Sequence, residues 1–145
     1  MALAGDHVVV IMDDSSGTPR QFADGDITSV DLGLTYAQHD VSGFGQAVQN
    51  VINGQMQAPV TIKGNLTTTA NTGTHPVIKG AYQAGSQVTL TVKVGQNAAP
   101  QAGDPKYEGE FIVESYKPEI QTGGAIKFTA TLKPATGTAP AWGTV

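Results

Sequence analysis

In the run Val88-Thr89-Leu90-Thr91-Val92-Lys93-Val94, apolar and polar side chains alternate without a break. A period of two places every apolar side chain on one face of an extended strand and every polar one on the other. A helix would scatter the same residues around its circumference. The pattern returns in Ala125–Lys133, where Ile126, Phe128, Ala130 and Leu132 alternate with Lys127, Thr129 and Thr131. It returns in Pro59–Thr68, with Val60, Ile62 and Leu66 against Thr61, Lys63 and Asn65, and in Tyr107–Tyr116. Such strands bury one face and wet the other, as antiparallel sheets do. Valine and isoleucine together number 22 against 6 leucines, with 17 threonines. That balance suits a pleated surface, because β-branched side chains are stiff at χ1 and pack well there.

Other segments extend the pattern. The run His7–Met12 ends at the turn composition Asp13–Gly17, and Arg20–Phe22 reads as the returning strand of a small hairpin. Ile27–Val41 reads as one long strand with Val30, Leu32, Leu34 and Tyr36 on a shared face. His75–Ala84 predicts the one short helix, with Pro76 in its first turn and Val77, Ala81 and Ala84 on one side. Residues 42–57 form a long connection, of the length that more often serves function than accident. Within it Phe44, Val48, Val51 and Ile52 fall at helical spacing, which allows a brief helix. The whole, 145 residues, reads as a single mainly β domain over 1–145: an antiparallel β-sandwich or partial barrel with one short helix and a long loop at 42–57.

Several kinds of chemistry are disfavoured. The chain has no cysteine, which removes disulfides, thiolate metal sites and a cysteine nucleophile together. The longest apolar stretch, Val8–Met12, falls far short of a membrane span, and MALAGDH has no basic residue before an apolar core. A soluble protein made in the cytosol, with no membrane partner, is expected. His7, His39 and His75 lie in separate segments without metal-ligand spacing. Asp24-Gly25-Asp26 lacks the downstream ligands of a calcium loop, and a hairpin turn explains it better. Glu108 and Glu110 share a strand face, yet a glycosidase pair needs a second wall and a cleft. Gly43-Phe44-Gly45 lacks the lysine of a phosphate loop, and Asn65-Leu66-Thr67 carries little weight as a glycosylation acceptor. No catalytic residue, cofactor or metal ligand is expected, and the chain does not read as an enzyme.

The net charge of −4 is uneven. Residues 1–40 carry seven acids and one base, whereas residues 41–145 carry seven lysines and five acids. No dense basic stripe exists, so tight nucleic-acid binding by charge neutralisation is disfavoured.

Against this background a resemblance emerges. Asp26-Ile27-Thr28-Ser29-Val30-Asp31-Leu32 leads into Asp40-Val41-Ser42-Gly43-Phe44-Gly45, then Ile52-Asn53-Gly54, then Val60-Thr61-Ile62-Lys63-Gly64-Asn65. The closing part runs Tyr107-Glu108-Gly109-Glu110-Phe111-Ile112-Val113-Glu114-Ser115-Tyr116, then Ala125–Leu132, then a Gly-Thr-rich tail with Trp142. In this order and spacing the chain, from about residue 26 onward, resembles the major tail-tube proteins of long-tailed bacteriophages. The resemblance implies a structural virion protein, assembled in the host cytoplasm, that forms hexameric rings stacked into a tail tube for DNA ejection. Each subunit would give four strands to an inner β-barrel, the segments from Ile27 and Pro59 among them. Implied partners are further copies of the chain, a tape-measure protein and transiting DNA in the lumen, and tail terminator and distal tail proteins. A polar or acidic lumen would suit such a conduit.

Within that picture Phe44, Val48, Val51, Ile52 and Met56 are the candidate subunit or ring interface. Apolar groups in an extended loop gain about 1.5–3 kcal/mol each when a large side chain is buried between chains. Alternatives are another virion β-protein, such as a capsid decoration or tail-completion protein, or a carbohydrate-binding β-sandwich, for which Trp142 and a few tyrosines are the available aromatic groups.

Overall fold

The computed structural model describes residues 8–95, 99–135 and 139–145; His7 and the Gly-Thr tail at 136–138 lie outside them. In chain order the elements are β1 (Val8–Asp13), β2 (Pro19–Gln21), β3 (Ile27–Leu32), β4 (Thr35–Asp40), β5 (Val51–Gln57), β6 (Val60–Asn65), α1 (Thr74–Ala84), β7 (Val88–Val94), β8 (Pro105–Glu119), β9 (Lys127–Pro134) and β10 (Ala141–Thr144). One sheet runs β2-β1-β7-β8-β9-β6-β3 with β10 added to β8, and β4 and β5 form a separate ribbon. Every pairing is antiparallel.

The 15-residue β8 organises the molecule. Its first half pairs with β7 on one side, Tyr107 opposite Val92 and Phe111 opposite Val88. Along its other side β10 comes first, with Trp142 opposite Tyr107, and β9 follows from Phe111 onward. One strand therefore belongs to two half-sheets: β2-β1-β7-β8-β10 and β8-β9-β6-β3. A register shift between Val113 and Ser115, with one extra residue on β8, marks the change. Bulges of this kind bend a strand and sharpen its twist.

The alternation read from the sequence sets the core. Val113, Leu132, Val60 and Leu32 lie across the second half-sheet in one row, and Tyr116, Ala130, Ile62 and Val30 in the next. Val10, Val92, Tyr107 and Trp142 make the matching row of the first half-sheet. Buried Val77, Ile78 and Ala81 of α1 join this core. Gly85 ends the helix at φ 62°, its N–H donating to the Ala81 carbonyl, a left-handed cap that glycine adopts at no steric cost. Ile78 is buried and Ala84 is exposed, so the helix turns a slightly different face inward than Val77, Ala81 and Ala84. An isoleucine offers more apolar area to the core than a terminal alanine.

Two expectations are corrected. Ile27–Val41 is two strands, not one: at Gly33–Leu34 the chain leaves the main sheet, and Leu34 and Tyr36 are exposed rather than facing the core with Val30 and Leu32. Residues 42–57 are neither a loop throughout nor a helix. Val51–Gln57 is β5, paired with β4 through Asp40–Val51, His39–Ile52 and Tyr36–Met56, and only 41–50 remain as connection. The helical spacing of Phe44, Val48, Val51 and Ile52 loses to β-branched residues with a partner strand available. Strand β10 lies beyond the strands foreseen, in the tail around Trp142.

Polar anchors complete the fold. Asp14 closes the β1–β2 hairpin: its Oδ1 accepts from the N–H groups of Ser16 (2.9 Å) and Thr18 (3.0 Å), and Arg20 Nε donates to Oδ2 at 2.9 Å. The Ser16 side chain first, then Thr18 and Arg20, hold the Asp14 carboxyl well below the usual carboxylate range. Fully buried Thr74 accepts from the Thr67 N–H (2.9 Å) and donates to the Asn65 carbonyl (2.8 Å), tying the start of α1 to the end of β6. Tyr107 is the reverse case, for its buried hydroxyl has no partner among the described residues, and burial raises its pKa.

Thr74→Val strands two backbone groups, so urea unfolding should show a loss of about 1–3 kcal/mol. Tyr107→Phe removes an unpaired hydroxyl, and in the same assay should be neutral or mildly stabilising. The Asp14 carboxylate contributes stability above the ordinary aspartate pKa, and that contribution fades as pH falls through its depressed folded value. The gap in melting temperature between the wild type and Asp14→Ala should therefore be widest near neutral pH and narrow below about pH 4.

Candidate functional site

Among the described residues, the half-sheet β8-β9-β6-β3 has two edges that no strand covers. β7 pairs with β8 only as far as Phe111, so the stretch Val113–Glu119 has β9 on one side and no strand on the other. At the far end β3 pairs with β6 alone. Unpaired edges present rows of N–H and C=O groups that template another strand. Antiparallel order makes β3 and β8 run in opposite directions across four strands. A second copy set beside the first therefore brings its β3 antiparallel to the first copy's β8.

The two faces of this half-sheet differ. Its core face is buried along β8, β9 and β6, while Ile27, Val30 and Leu32 of β3 are half-buried. Its wet face shows the rows Ser115, Thr131, Thr61, Asp31 and Lys117, Thr129, Lys63, Ser29, followed by Glu119, Lys127 and Asn65. Lys133 Nζ lies 3.9 Å from Glu114 Oε2 on the same side. Opposite charges are interspersed along this face rather than gathered into a basic stripe.

The second feature is the β4–β5 ribbon. Gly33 N–H donates to the Pro59 carbonyl (3.1 Å), so β3–β4 and β5–β6 form one continuous hairpin that outruns the main sheet. The candidate interface residues sit on it. Phe44 is fully exposed, Val48 is 72%, Ile52 55% and Val51 45% exposed, and Met56 is half-buried beside Tyr36. Leu34, Tyr36 and Val41 are exposed on the same arm and were missed, because the alternation assigned Leu34 and Tyr36 to the core. An isolated two-stranded ribbon is marginal in water, so one this apolar is suited to cover by a neighbour. No residue from 41 to 62 carries a charge.

The groups weighed for catalysis are engaged otherwise. Thr89 Oγ1 donates to Glu110 (2.6 Å) and Thr91 Oγ1 to Glu108 (3.1 Å), as cross-strand pairs on β7 and β8. His75 Nδ1 lies 2.8 Å from the Tyr116 hydroxyl, and His39 stands on β4 against Gly54. Asp24-Gly25-Asp26 is a turn, with Gly25 at φ 84° and the Asp26 N–H donating to the Ala23 carbonyl. Among the described residues no three acidic or imidazole groups cluster to hold a metal. Trp142 packs edge-on against Tyr107, with ring centroids 5.3 Å apart. It borders an open cleft of about 630 Å³ between β1 and β3, with Val8, Val10, Ile27, Val30 and Leu32 along its walls. Neither the cleft nor the β8 edge was legible from residue pattern; the one available signal was that 105–119 outlasts any single partner strand.

No family model and no curated protein matches the sequence. Solved structures do. The SPP1 tail tube aligns over 99% of this chain and 80% of its own, with a TM-score of 0.75 at 11% identity. The tail of an empty gene transfer agent particle, refined with C6 symmetry, aligns over 99% of both chains with a TM-score of 0.73 at 14% identity. A chain of the sheath/tube terminator structure of the PVC extracellular contractile injection system aligns over 99% of this chain and 97% of its own, with a TM-score of 0.71 at 12% identity. The mainly β, antiparallel architecture is that of phage tail tubes and of related contractile injection systems.

Proposed function

We propose that this chain is a structural virion protein whose copies close into rings of six and stack as a tail tube. The observation that carries the reading is the four-stranded half-sheet with two uncovered, oppositely directed edges, β3 and the second half of β8. Heterologous edge-to-edge addition makes a closed ring when the rotation closes. Six copies, the symmetry of the gene transfer agent tail, would join roughly 24 strands into one barrel. At ~4.8 Å between strands its backbone would be about 40 Å across, beyond the size at which barrels enclose an aqueous channel.

In this reading the buried core face turns toward the remainder of each chain, outside the barrel, and the wet face lines the lumen. That face carries Lys63, Lys117, Lys127 and Lys133 with Asp31, Glu114 and Glu119. The lumen is in this reading polar and charge-mixed. Interspersed acids limit how many phosphates any lysine row can neutralise, which favours passage over retention. A tape-measure protein before infection, and transiting DNA during ejection, are the occupants this reading assigns to the lumen. Tail terminator and distal tail proteins would meet the ends, and assembly would take place in the host cytoplasm. In this reading the chain works by shape and association, with no catalytic step.

The hairpin arm, with Phe44, Val48, Val51, Ile52 and Met56, supplies contact between subunits or rings. The double variant Phe44→Ser/Ile52→Ser should give a folded monomer with unchanged far-ultraviolet dichroism that no longer forms rings or tubes under negative-stain electron microscopy. Tubes of normal length from that variant would contradict the assigned role of the arm. Purified wild-type chain that stays monomeric at every concentration would contradict the tube itself.

A further inference from the structure

One dipeptide of the β4–β5 ribbon is out of place. Asn53-Gly54 is the only Asn-Gly pair in the sequence, and Asn-Gly is a strong turn former. Here it lies in the middle of strand β5. We propose that Asn53 is a self-modifying site: without an enzyme, the Gly54 backbone nitrogen converts its side-chain amide to a carboxylate while the ribbon stands uncovered.

The ribbon is arranged for that step. Between the pairs Tyr36–Met56 and Gln38–Asn53 the register shifts, so Gly54 and Gln55 together face Ala37. The ladder is thus irregular at the residue whose nitrogen must attack, and glycine inside a strand weakens it further. The Asn53 side chain is exposed, and Gly54 has no Cβ to screen the approach. From the opposite strand Gln38 Nε2 reaches Asn53 Oδ1 at 3.4 Å, a donor on the carbonyl under attack. The His39 ring lies against Gly54, with Nε2 2.6 Å from the place a Cβ would occupy. An imidazole therefore stands beside the nitrogen that has to give up its proton, and imidazole is a competent general base. A two-stranded ribbon with no third strand opens at little cost, which lets nitrogen and carbon meet.

The step balances with water as the sole co-reactant. Gly54 N bonds to Asn53 Cγ while its proton passes through His39 to Nδ2. The Cγ–Nδ2 bond breaks, ammonia leaves, and a cyclic succinimide remains. Water then opens the ring. Cleavage of the new N–Cγ bond gives aspartate; cleavage of the original peptide bond leaves the chain linked through Cγ, as isoaspartate. In sum, amide and water become carboxylate and ammonium.

Either product changes the arm. Residues 41–62 carry no charge, and a carboxylate at 53 is ionised at neutral pH. Burying that charge without a partner is costly. Isoaspartate also adds a carbon to the backbone, which breaks the β4–β5 register beyond it. Resting on the tube reading, the site is a clock on assembly. A copy that assembles early has its ribbon covered and held as a strand, whereas a copy left free loses the surface it would assemble with.

The test follows folded wild-type chain at neutral pH, as monomer and as tubes, beside the same chain unfolded in urea. Cleavage after lysine and arginine yields one peptide, 21–63, that contains the site, and its fragments locate any amide-to-acid mass change. Asn53 should convert in the monomer to a mixture of aspartate and isoaspartate, with Asn50 of the same peptide unchanged. In tubes the conversion should be several-fold slower. Conversion in urea with none in the folded monomer would overturn the proposal. Equal rates in monomer and tubes would overturn the clock and leave the tube reading intact. Wild-type chain that makes no tubes would contradict the tube reading, while conversion in that monomer would still uphold the site. His39→Ala should convert several-fold more slowly, with the rate recovered by added imidazole; an unchanged rate would remove His39 from the step. Asn53→Asp, which carries the charge from the start, should form fewer tubes, and tubes in wild-type yield would contradict the stated consequence.

Discussion

Backbone groups at the edge of a sheet have to be hydrogen-bonded to something, and in this chain β8 decides where that demand is left open. It is longer than any strand beside it. Its first half lies between β7 and β10, while its second half has β9 on one side and, among the described residues, no strand on the other. The extra residue near Glu114 lets one strand serve two half-sheets, and the core closes where the rows from both meet. The uncovered stretch is a consequence of the same arrangement that gives the chain its core.

Such an edge is a hazard unless its partner is specified. The second half of β8 carries Glu114, Lys117, Pro118 and Glu119, residues that discourage indiscriminate pairing. β3 carries Asp31 on the corresponding face. Set edge to edge, Lys117 of one copy and Asp31 of the next lie on the same wet face, where opposite charges favour the register. The apolar arm adds an independent contact, uncharged from residue 41 to 62. Edge pairing and arm docking together would divide the work of a tube: one closes a ring, the other links copies through side chains.

Much of the fold was legible because burial in this chain follows the pleat. Val88, Leu90 and Val92, and likewise Phe128, Ala130 and Leu132, are buried as their alternation requires. The helix was legible through Pro76 and the change of period that follows. Legibility failed where a strand is not backed by the core. Leu34 and Tyr36 continue the alternation of Val30 and Leu32, yet they belong to a ribbon that has left the sheet. Periodicity reports which side chains share a face, and says nothing of whether that face meets the chain's own core or another molecule. For the same reason the apolar residues of the arm were visible as candidates, while the cleft and the open β8 edge were not: each is made by segments far apart in sequence.

The central claim is that β3 and the second half of β8 complete each other between copies. Amide hydrogen exchange, compared between monomer and assembled chain, tests it most directly, because an edge that gains a partner slows its outward-facing amides. The account expects protection to rise on assembly in both Ile27–Leu32 and Val113–Glu119, with β7 and the first half of β8 unchanged. Assembly that leaves either edge exchanging as fast as in the monomer would contradict it.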